Sequence, residues 1–462
     1  MSNNKMDVSA QLATASIWKL IIKLSVPAIL AQIVNLLYNV VDRIYIGHME
    51  GVGTAALTGV GLCNPIIVLI SAFTMLVAQG GAPRAAIEMG KGDIKKAEKI
   101  LGNCFSLIIV FAVLLTAVFS IFGEKLLMIF GASEDTIIYA LPYMRIYVAG
   151  SIFVMISLGL NMFITTQGFT KISMATVLIG AVCNIILDPI FIFGFNMGVR
   201  GAALATIISQ AVSAIWVLTF LLGKKTKLKI KKENLLPSAK ILLPVLALGI
   251  SPFIMNATEA VINISFNSSL QKYGGDIVVG AMTICTTVFQ MAWVPAQGIG
   301  QGAQPIISYN YGAGNADRVK QAFKAFLTIC FTYVFVFGAL IELFPQFFIN
   351  IFNDNPDLVD TATWAIRLYG CAMTFFGIQM AVQQTFIALG KAKASLFIAC
   401  LRKVILLVPL IYILPNFFED KVFAVFLAEP VSDAVSIITA SIVFFFVFRK
   451  EMKKLKEESQ LK

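Results

Sequence analysis

Tyr143-Met144-Arg145-Ile146-Tyr147 recurs 222 positions later as Ala365-Ile366-Arg367-Leu368-Tyr369. The same offset aligns three further positions downstream: Asn161 with Gln383, Gly168 with Gly390, and Lys171 with Lys393. A repeat at one fixed offset within a very apolar sequence is typical of a membrane protein built from two homologous halves. Because such halves commonly enclose a cavity, the repeat favours transport across a membrane.

The composition excludes a soluble protein. Of the 462 residues, 58% are hydrophobic and only 13% are charged, whereas soluble domains carry about twice that charged fraction. Apolar runs of about 20 residues, long enough to cross the hydrocarbon as a helix, follow one another along the chain. The twelve predicted spans, numbered in chain order, are Ile17–Ile46, Ala55–Val77, Leu101–Phe122, Pro142–Ile164, Ile172–Phe195, Gly201–Leu222, Ile241–Leu270, Val278–Gly302, Phe326–Phe344, Thr363–Ile387, Ala394–Leu414 and Val422–Phe448.

A basic linker divides the spans into two sets of six. Residues 223–240 contain seven lysines between two long apolar stretches. We therefore predict an N-terminal lobe at residues 1–222, a C-terminal lobe at 241–448 and a cytoplasmic tail at 449–462. An even number of spans in each half gives both halves the same orientation. The expected fold is an all-α membrane protein with two six-helix bundles, related by a pseudo-two-fold axis along the membrane normal.

A proline lies early in the first span of each half. Pro27 and Pro252 are 225 positions apart, and a proline inside a helix removes one backbone hydrogen bond and bends the helix. Matching bends in matching helices indicate hinges. A static packing bend is the alternative interpretation.

The net charge of +11 follows the expected topology of the loops. Most Lys and Arg residues fall in the N-terminal tail, the central linker, the C-terminal tail and alternate loops, as expected for cytoplasmic segments. Both termini are therefore predicted to be cytoplasmic. The first span is too long for a cleavable signal peptide. A basic surface without a groove-reading motif does not indicate a nucleic-acid partner.

Cysteine and histidine usage argues against a metal site or an enzyme. All seven cysteines fall in apolar spans without a C-x-x-C pair, and His48 is the only histidine. We therefore expect no disulfide, no metal site of His or Cys and no cofactor. No nucleophile and base pair is recognisable either. The sequence also lacks an ATP-binding motif, so transport would draw its energy from an ion gradient or from a partner.

Polar residues in spans 1, 5 and 6 fall at one membrane level. Counted by helix rise, Asp42, Asp188 and Thr206 lie roughly 7 to 10 Å below the outer ends of their spans, and Asn184 lies one turn deeper than Asp188. Acids at membrane depth are costly and mark functional sites. Two acids sharing a poorly solvated pocket are suited to carry H⁺ or Na⁺. The alternative is a permanently protonated patch that only holds the helices together.

The second half has a different set of charges. Its position aligned with Asp188 is Leu410, so the acidic pair is not duplicated. Glu259 in span 7 is predicted to bind a cation or to line the cavity. Arg402 and Lys403 in span 11 are expected to neutralise Glu429 or Asp433 in span 12.

The whole chain resembles the multidrug and toxic compound extrusion (MATE) family of transporters, in particular its bacterial multidrug branch. The resemblance is carried by Ser25-Val26-Pro27, Val41-Asp42-Arg43, Val77-Ala78-Gln79-Gly80-Gly81, Asn184-Ile185-Ile186-Leu187-Asp188-Pro189, the glycine-rich stretch Pro295–Pro305 and Ser308-Tyr309-Asn310-Tyr311-Gly312-Ala313-Gly314-Asn315. The order of these segments, the doubled six-span layout and the basic linker together make the resemblance specific.

The resemblance implies an antiporter in the bacterial inner membrane that exports amphipathic, mostly cationic drugs in exchange for H⁺ or Na⁺ by alternating access. It implies an ion site at Asp42, Asn184, Asp188 and Thr206, where Na⁺ would be the only metal. It also places Asn35, Tyr38 and Asn161 along the substrate cavity, and the internal repeat adds Gln383, which aligns with Asn161. Glu259 is included as an acid in span 7 that binds a cation, lines the cavity or packs between helices. The proline matching Pro27 accompanies bending of span 1 in relatives. Another branch of the family uses a second acid in span 10, which this sequence lacks.

The expected partners are organic cations and membrane lipid, and the protein is expected to be a monomer. Two other functions stay open at this stage. Related transporters carry lipid-linked sugars, so a flippase is the alternative transport function. A membrane receptor or an intramembrane enzyme is the alternative from another class.

Overall fold

The computed structural model describes residues 8–352 and 355–460, so residues 1–7, 353–354 and 461–462 of the predicted lobes and tail lie outside the description. The described residues are almost entirely helical and contain no β-strand. The prediction of an all-α protein is confirmed. The α-helices are α1 (Val8–Thr14), α2 (Ile17–Gly47), α3 (Gly53–Gly61), α4 (Asn64–Gly90), α5 (Ile94–Ile129), α6 (Glu134–Ala149), α7 (Ser151–Thr166), α8 (Thr170–Pro189), α9 (Val199–Leu222), α10 (Ala239–Gly312), α11 (Ala316–Leu343), α12 (Pro345–Ile349), α13 (Pro356–Gly370), α14 (Phe376–Ala388), α15 (Ala392–Cys400), α16 (Val408–Ile413) and α17 (Lys421–Gln460).

The helices account for twelve membrane spans. Nine helical segments of the described chain are long and apolar enough to cross a bilayer, and two helix pairs bent by 54° and 43° each form one more span. The 74-residue helix α10 is interrupted by the non-helical backbone of Gly275. At 1.5 Å per residue, α10 would be about 110 Å long, far more than the hydrocarbon thickness. Gly275 therefore separates spans 7 and 8, and the predicted count is confirmed.

Contacts divide the chain into two compact units. The first unit contains Leu30–Gly249, and the second contains Gln11–Ile29 and the chain from Ile250 onward. A boundary inside α1 follows Ala10, and the two boundaries inside α2 and α10 lie within three residues of Pro27 and Pro252. The division of the linear chain into lobes at residues 222 and 241 stays a prediction, as does the axis relating them.

Glycines permit close helix packing in the first unit. A side chain at Gly80 of α4 would overlap the backbone of Val245, and one at Gly249 would overlap the backbone of Leu76. Small residues at helix contacts let backbones approach in a membrane, where apolar burial alone does not hold helices together. The N-terminal part of α10 therefore packs closely against α4.

The second unit contains the corresponding contact. Here the start of α2 packs against span 8, where Gly298 faces the backbone of Ile29 and Gly302 faces that of Ser25. The Ser25 hydroxyl donates to the carbonyl of Ile299 at 3.3 Å. The buried side chains of Leu20 and the residues around it belong to one apolar core with spans 8, 9 and 10.

The basic linker is attached to the first unit. The side-chain oxygen of Gln167 accepts hydrogen bonds from the Thr226 hydroxyl at 2.9 Å, the Lys227 amide at 2.8 Å and the Leu228 amide at 3.0 Å. Leu228 is completely buried. Glu98 accepts from the ammonium group of Lys231 at 2.6 Å. The linker thus follows the ends of α5 and α7 closely, which its composition alone does not indicate.

We predict that Gly249→Ala destabilises the protein by about 1 to 3 kcal/mol, because the added methyl group meets backbone that cannot rotate away. The measurement is the thermal unfolding midpoint in detergent. Gly61→Ala is the matched control, since nothing lies within 4 Å of a Cβ at Gly61. An equal midpoint for Gly249→Ala and the control would contradict the close contact.

We predict that Gln167→Leu loosens the linker, because the backbone amides of Lys227 and Leu228 lose this acceptor at a cost of about 1 to 3 kcal/mol each, whereas the Thr226 hydroxyl keeps the Leu228 carbonyl. Trypsin cleavage after the linker lysines should become faster. Gln167→Glu keeps an acceptor oxygen and should be cleaved more slowly than Gln167→Leu. Identical cleavage rates for wild type and Gln167→Leu would disprove the attachment.

Candidate functional site

The structure brings together the four polar residues predicted in spans 1, 5 and 6. The Asn184 amide donates to Asp188 Oδ1 at 3.1 Å and to Thr206 Oγ1 at 3.4 Å. Asp188 is 0% exposed, Asn184 1% and Thr206 9%. Because Asn184 and Asp188 are four residues apart on α8, one helix face presents both to α9. These residues with Asp42 are called the acid cluster below.

Asp42 completes the acid cluster from α2. Its carboxyl group lies close enough to that of Asp188 for the two acids to interact electrostatically. Two carboxyl groups form a hydrogen bond only when one of them carries a proton, since two carboxylates repel each other. A proton or another monovalent cation placed between the two acids would offset their repulsion.

Three buried oxygens of the acid cluster lack a hydrogen-bond partner: Asp42 Oδ1, Asn184 Oδ1 and Asp188 Oδ2. Unpartnered polar atoms are costly in an apolar interior, and a bound water or ion is one way to satisfy them. Carboxylate, amide and hydroxyl oxygens are the ligand types that suit hard cations such as Na⁺. In the described part of the chain, no group of three or more His, Cys, Asp or Glu side chains could hold a metal ion. The oxygens of the acid cluster are groups that could hold H⁺ or Na⁺.

The backbone after Asp188 departs from a regular α-helix. Pro189 cannot donate an N–H, and residues Ile190–Gly194 continue as a short π-helix. The Phe195 amide reaches back to the carbonyl of Ile190 at 2.9 Å. Such wide turns are frequent at functional sites. Asp188-Pro189 is visible in the sequence, but the π-helix is not.

The cavity residues predicted in the first unit divide into two groups. Asn35, Tyr38 and Asp42 lie at helical spacing on one face of α2, with Asn35 exposed and Tyr38 half-buried. Asn161 is held elsewhere: its oxygen accepts from the Thr176 hydroxyl at 3.0 Å, and its amide donates to the carbonyl of Ser173 at 3.2 Å. Asn161 therefore joins spans 4 and 5, while Asn35 and Tyr38 share the face of the acid cluster.

The second unit contains an ion-pair network in place of an acidic pair. Arg402 donates to Asp433 at 2.6 Å and to Glu429 at 2.8 Å, as the sequence predicts. Its guanidinium group also lies 4.4 Å from the ring centre of Phe376. One oxygen of Glu429, Oε2, is buried without a partner.

Lys403 has a partner that the sequence did not reveal. It pairs with Glu259 and donates to the carbonyl of Met255 at 3.0 Å, whereas Arg402 alone forms the ion pairs found for Glu429 and Asp433 in the described residues. The prediction for Lys403 is wrong because 144 residues separate it from Glu259 in the chain, and only tertiary packing joins spans 7 and 11. Leu401–Leu407 form a second π-helix, and both basic residues lie in it.

Gln383 and the two prolines lie in buried positions. The Gln383 amide donates to the hydroxyl groups of Ser251 at 2.8 Å and Ser395 at 3.0 Å, and the residue is 5% exposed. Pro27 and Pro252 are both buried inside long helices. A cavity role for Gln383 and Glu259, and a hinge role for the prolines, stay predictions.

Known proteins resemble the chain over nearly its full length. Multidrug export protein MepA of Staphylococcus haemolyticus (strain JCSC1435) is 24% identical over 426 residues, which cover 90% of this chain and 92% of the relative. The protein of the same name from Staphylococcus saprophyticus subsp. saprophyticus is 25% identical over 415 residues, covering 87% and 88%.

Solved structures share the fold. One is a crystal structure of a MATE protein in the bent conformation, with a TM-score of 0.89, 24% identity and coverage of 98% of this chain and 99% of that one. Another shows the outward-facing conformation of a multidrug resistance MATE family transporter of the MOP superfamily, with a TM-score of 0.87, 24% identity and coverage of 99% and 100%.

The family match repeats the two-fold organisation seen in the sequence. The MatE family model matches residues 27–190 and again residues 252–413, one match in each half. The two matches cover well over half of the sequence and confirm the predicted resemblance. The chain therefore belongs to the MatE family of multi-pass membrane transporters.

Proposed function

We propose that this protein is a secondary active antiporter, exporting amphipathic, mostly cationic drugs from the cytoplasm in exchange for H⁺ or Na⁺ by alternating access. The supporting observation is the set of three unpartnered oxygens around the Asp42 and Asp188 pair. The similarity to proteins named multidrug export protein MepA supports the choice of substrate class. The protein would lie in the bacterial plasma membrane with both termini cytoplasmic, in agreement with the distribution of its Lys and Arg residues.

In this proposal, ion binding and drug binding are coupled through the charge on one face of α2. A cation that enters the acid cluster offsets the charge of Asp42 and Asp188 and satisfies acceptors that are otherwise unpaired. Asn35 and Tyr38 lie on the same face of α2, so a cationic drug beside them is attracted less strongly once the ion is bound. Linkage makes the effect reciprocal, because a bound drug weakens ion binding by the same factor.

Alternating access requires a helix that can change shape. Pro27 and Pro252 each lie within three residues of a boundary between compact units. A proline leaves one carbonyl without its helical hydrogen bond, which lowers the cost of bending there. We propose that α2 and α10 bend at these points during the cycle.

We predict that Asp42→Asn and Asp188→Asn each lower gradient-driven efflux by about 5- to 150-fold, the range of typical coupling energies. The measurement is uptake of a fluorescent cation into everted membrane vesicles, normalised to protein inserted in the membrane. Asp360→Asn is the matched control, because Asp360 is exposed on α13 and lies outside the acid cluster. Full efflux in both cluster variants would exclude the coupling role.

The same vesicles identify the coupling ion. With an imposed pH gradient and no Na⁺, uptake by the wild-type protein indicates H⁺ exchange; with an imposed Na⁺ gradient at equal pH, it indicates Na⁺ exchange. Uptake in neither condition would refute the antiport proposal.

The ion-pair network of the second unit is assigned a structural role. We predict that Arg402→Met destabilises the protein by about 3 to 5 kcal/mol, because it leaves two buried carboxylates without their cation. The triple variant Arg402→Met, Glu429→Gln, Asp433→Asn removes the stranded charges and should recover most of the unfolding midpoint. Recovery of the midpoint with loss of efflux would instead assign these residues to transport.

A further inference from the structure

A groove on the second unit has a chemical character opposite to that of the acid cluster. It encloses about 670 Å³ between α11, α14 and α17. Its walls are formed by Phe323, Leu327, Val382, Phe444 and Phe448, among other apolar side chains. The ring centres of Phe323 and Phe444 are 4.4 Å apart, and those of Phe444 and Phe448 are 4.8 Å apart. The contacting aromatic rings therefore form part of the apolar wall of the groove.

One end of the groove is basic. The four cations that line it are Lys320 on α11 and Arg449, Lys453 and Lys456 on α17. They gather at the same end because the start of α11 meets the end of α17, as the 3.0 Å pair between Lys456 and Asp317 shows. Arg449 is exposed and forms no hydrogen bond or ion pair through its side chain within residues 8–352 and 355–460.

Acidic groups at this end do not balance the cations. Asp317 faces Lys456 at 3.0 Å and Lys320 at 4.0 Å, and Glu457 lies 3.9 Å from Lys453. These two carboxylates face three of the four cations, and the pairs are long or exposed, so they contribute little. The end of the groove retains an excess of positive charge.

The groove is placed at the membrane surface. The predicted apolar run of span 12 ends at Phe448, so Arg449 marks the point where the helix leaves the hydrocarbon. Phe445, another wall residue, is 58% exposed on the outer surface of α17. An apolar slot at bilayer depth below a basic rim matches an acyl chain attached to an anionic headgroup. The rim would repel the cationic drugs proposed as substrates.

We propose that this groove binds an anionic phospholipid, with an acyl chain along Phe323 and Phe444 and the phosphate at Arg449 and Lys453. The lipid proposal is independent of the antiport mechanism. The groove would lie in the cytoplasmic leaflet, and that placement rests on the proposed orientation of the C-terminal tail. Such a lipid would bridge spans 9, 10 and 12 of the second unit and hold their inner ends together.

Native mass spectrometry of the delipidated full-length protein tests the proposal with phosphatidylglycerol and phosphatidylcholine as probes. The wild-type protein should retain phosphatidylglycerol in clear preference to phosphatidylcholine. Arg449→Gln with Lys453→Gln should weaken phosphatidylglycerol binding by at least about tenfold, because each basic residue near a membrane surface contributes roughly 1 kcal/mol. Lys224→Gln with Lys225→Gln removes the same charge from two exposed linker positions and should leave binding unchanged.

A second variant tests the apolar slot without changing charge. Ser441 lines the groove, and Ser441→Phe should fill it and reduce phosphatidylglycerol retention while the thermal midpoint and efflux are maintained. Glycerol 3-phosphate in excess should not displace the lipid. Equal retention by wild type and the Arg449/Lys453 variant, or displacement by glycerol 3-phosphate, would overturn the proposal. Loss of efflux in the Asp42 or Asp188 variants would leave it unaffected.

Discussion

A carboxylate in an apolar interior needs a partner, and this constraint governs the polar chemistry of both units. Leaving water costs a charged group several kcal/mol even after the protein relaxes. In the first unit, Asp42 and Asp188 lie near each other, and Asn184 and Thr206 lie beside them. Among the described residues, neither of these acids forms an ion pair with a basic side chain, and in the proposed mechanism a mobile cation supplies the positive charge. In the second unit, the acids pair with Arg402 and Lys403, whose positive charges are permanent parts of the chain.

This difference underlies the tasks that we propose for the two homologous halves. A fixed cation holds helices together but cannot be exchanged, whereas in the proposed mechanism unpartnered oxygens such as Asp42 Oδ1 and Asn184 Oδ1 take up and release an ion. Under this proposal, the network around Arg402 serves packing and the acid cluster serves coupling. The groove beside Arg449 adds a third kind of polar site, in which the excess charge is positive and lies at the membrane surface.

The backbone is under a related constraint, because the membrane interior offers no water to unsatisfied amides and carbonyls. Helices meet this demand throughout both units, and their departures from regularity are local. Pro189 and the following π-helix lie next to the acid cluster, and the π-helix Leu401–Leu407 contains Arg402 and Lys403. Glycines such as Gly80 and Gly249 bring helices close enough for their backbones to touch.

The sequence by itself determined the helical class, the twelve spans, the family and the four members of the acid cluster. Each of these leaves a local or periodic signal: apolar runs of membrane length, a repeat at fixed offset, and acids that stand out within them. Tertiary structure alone decided the pairing of Lys403 with Glu259, the burial of Gln383 between two serines and the attachment of the linker through Gln167. Those contacts join residues far apart in the chain, and their partners are set by how the helices pack, which no spacing within a single span encodes.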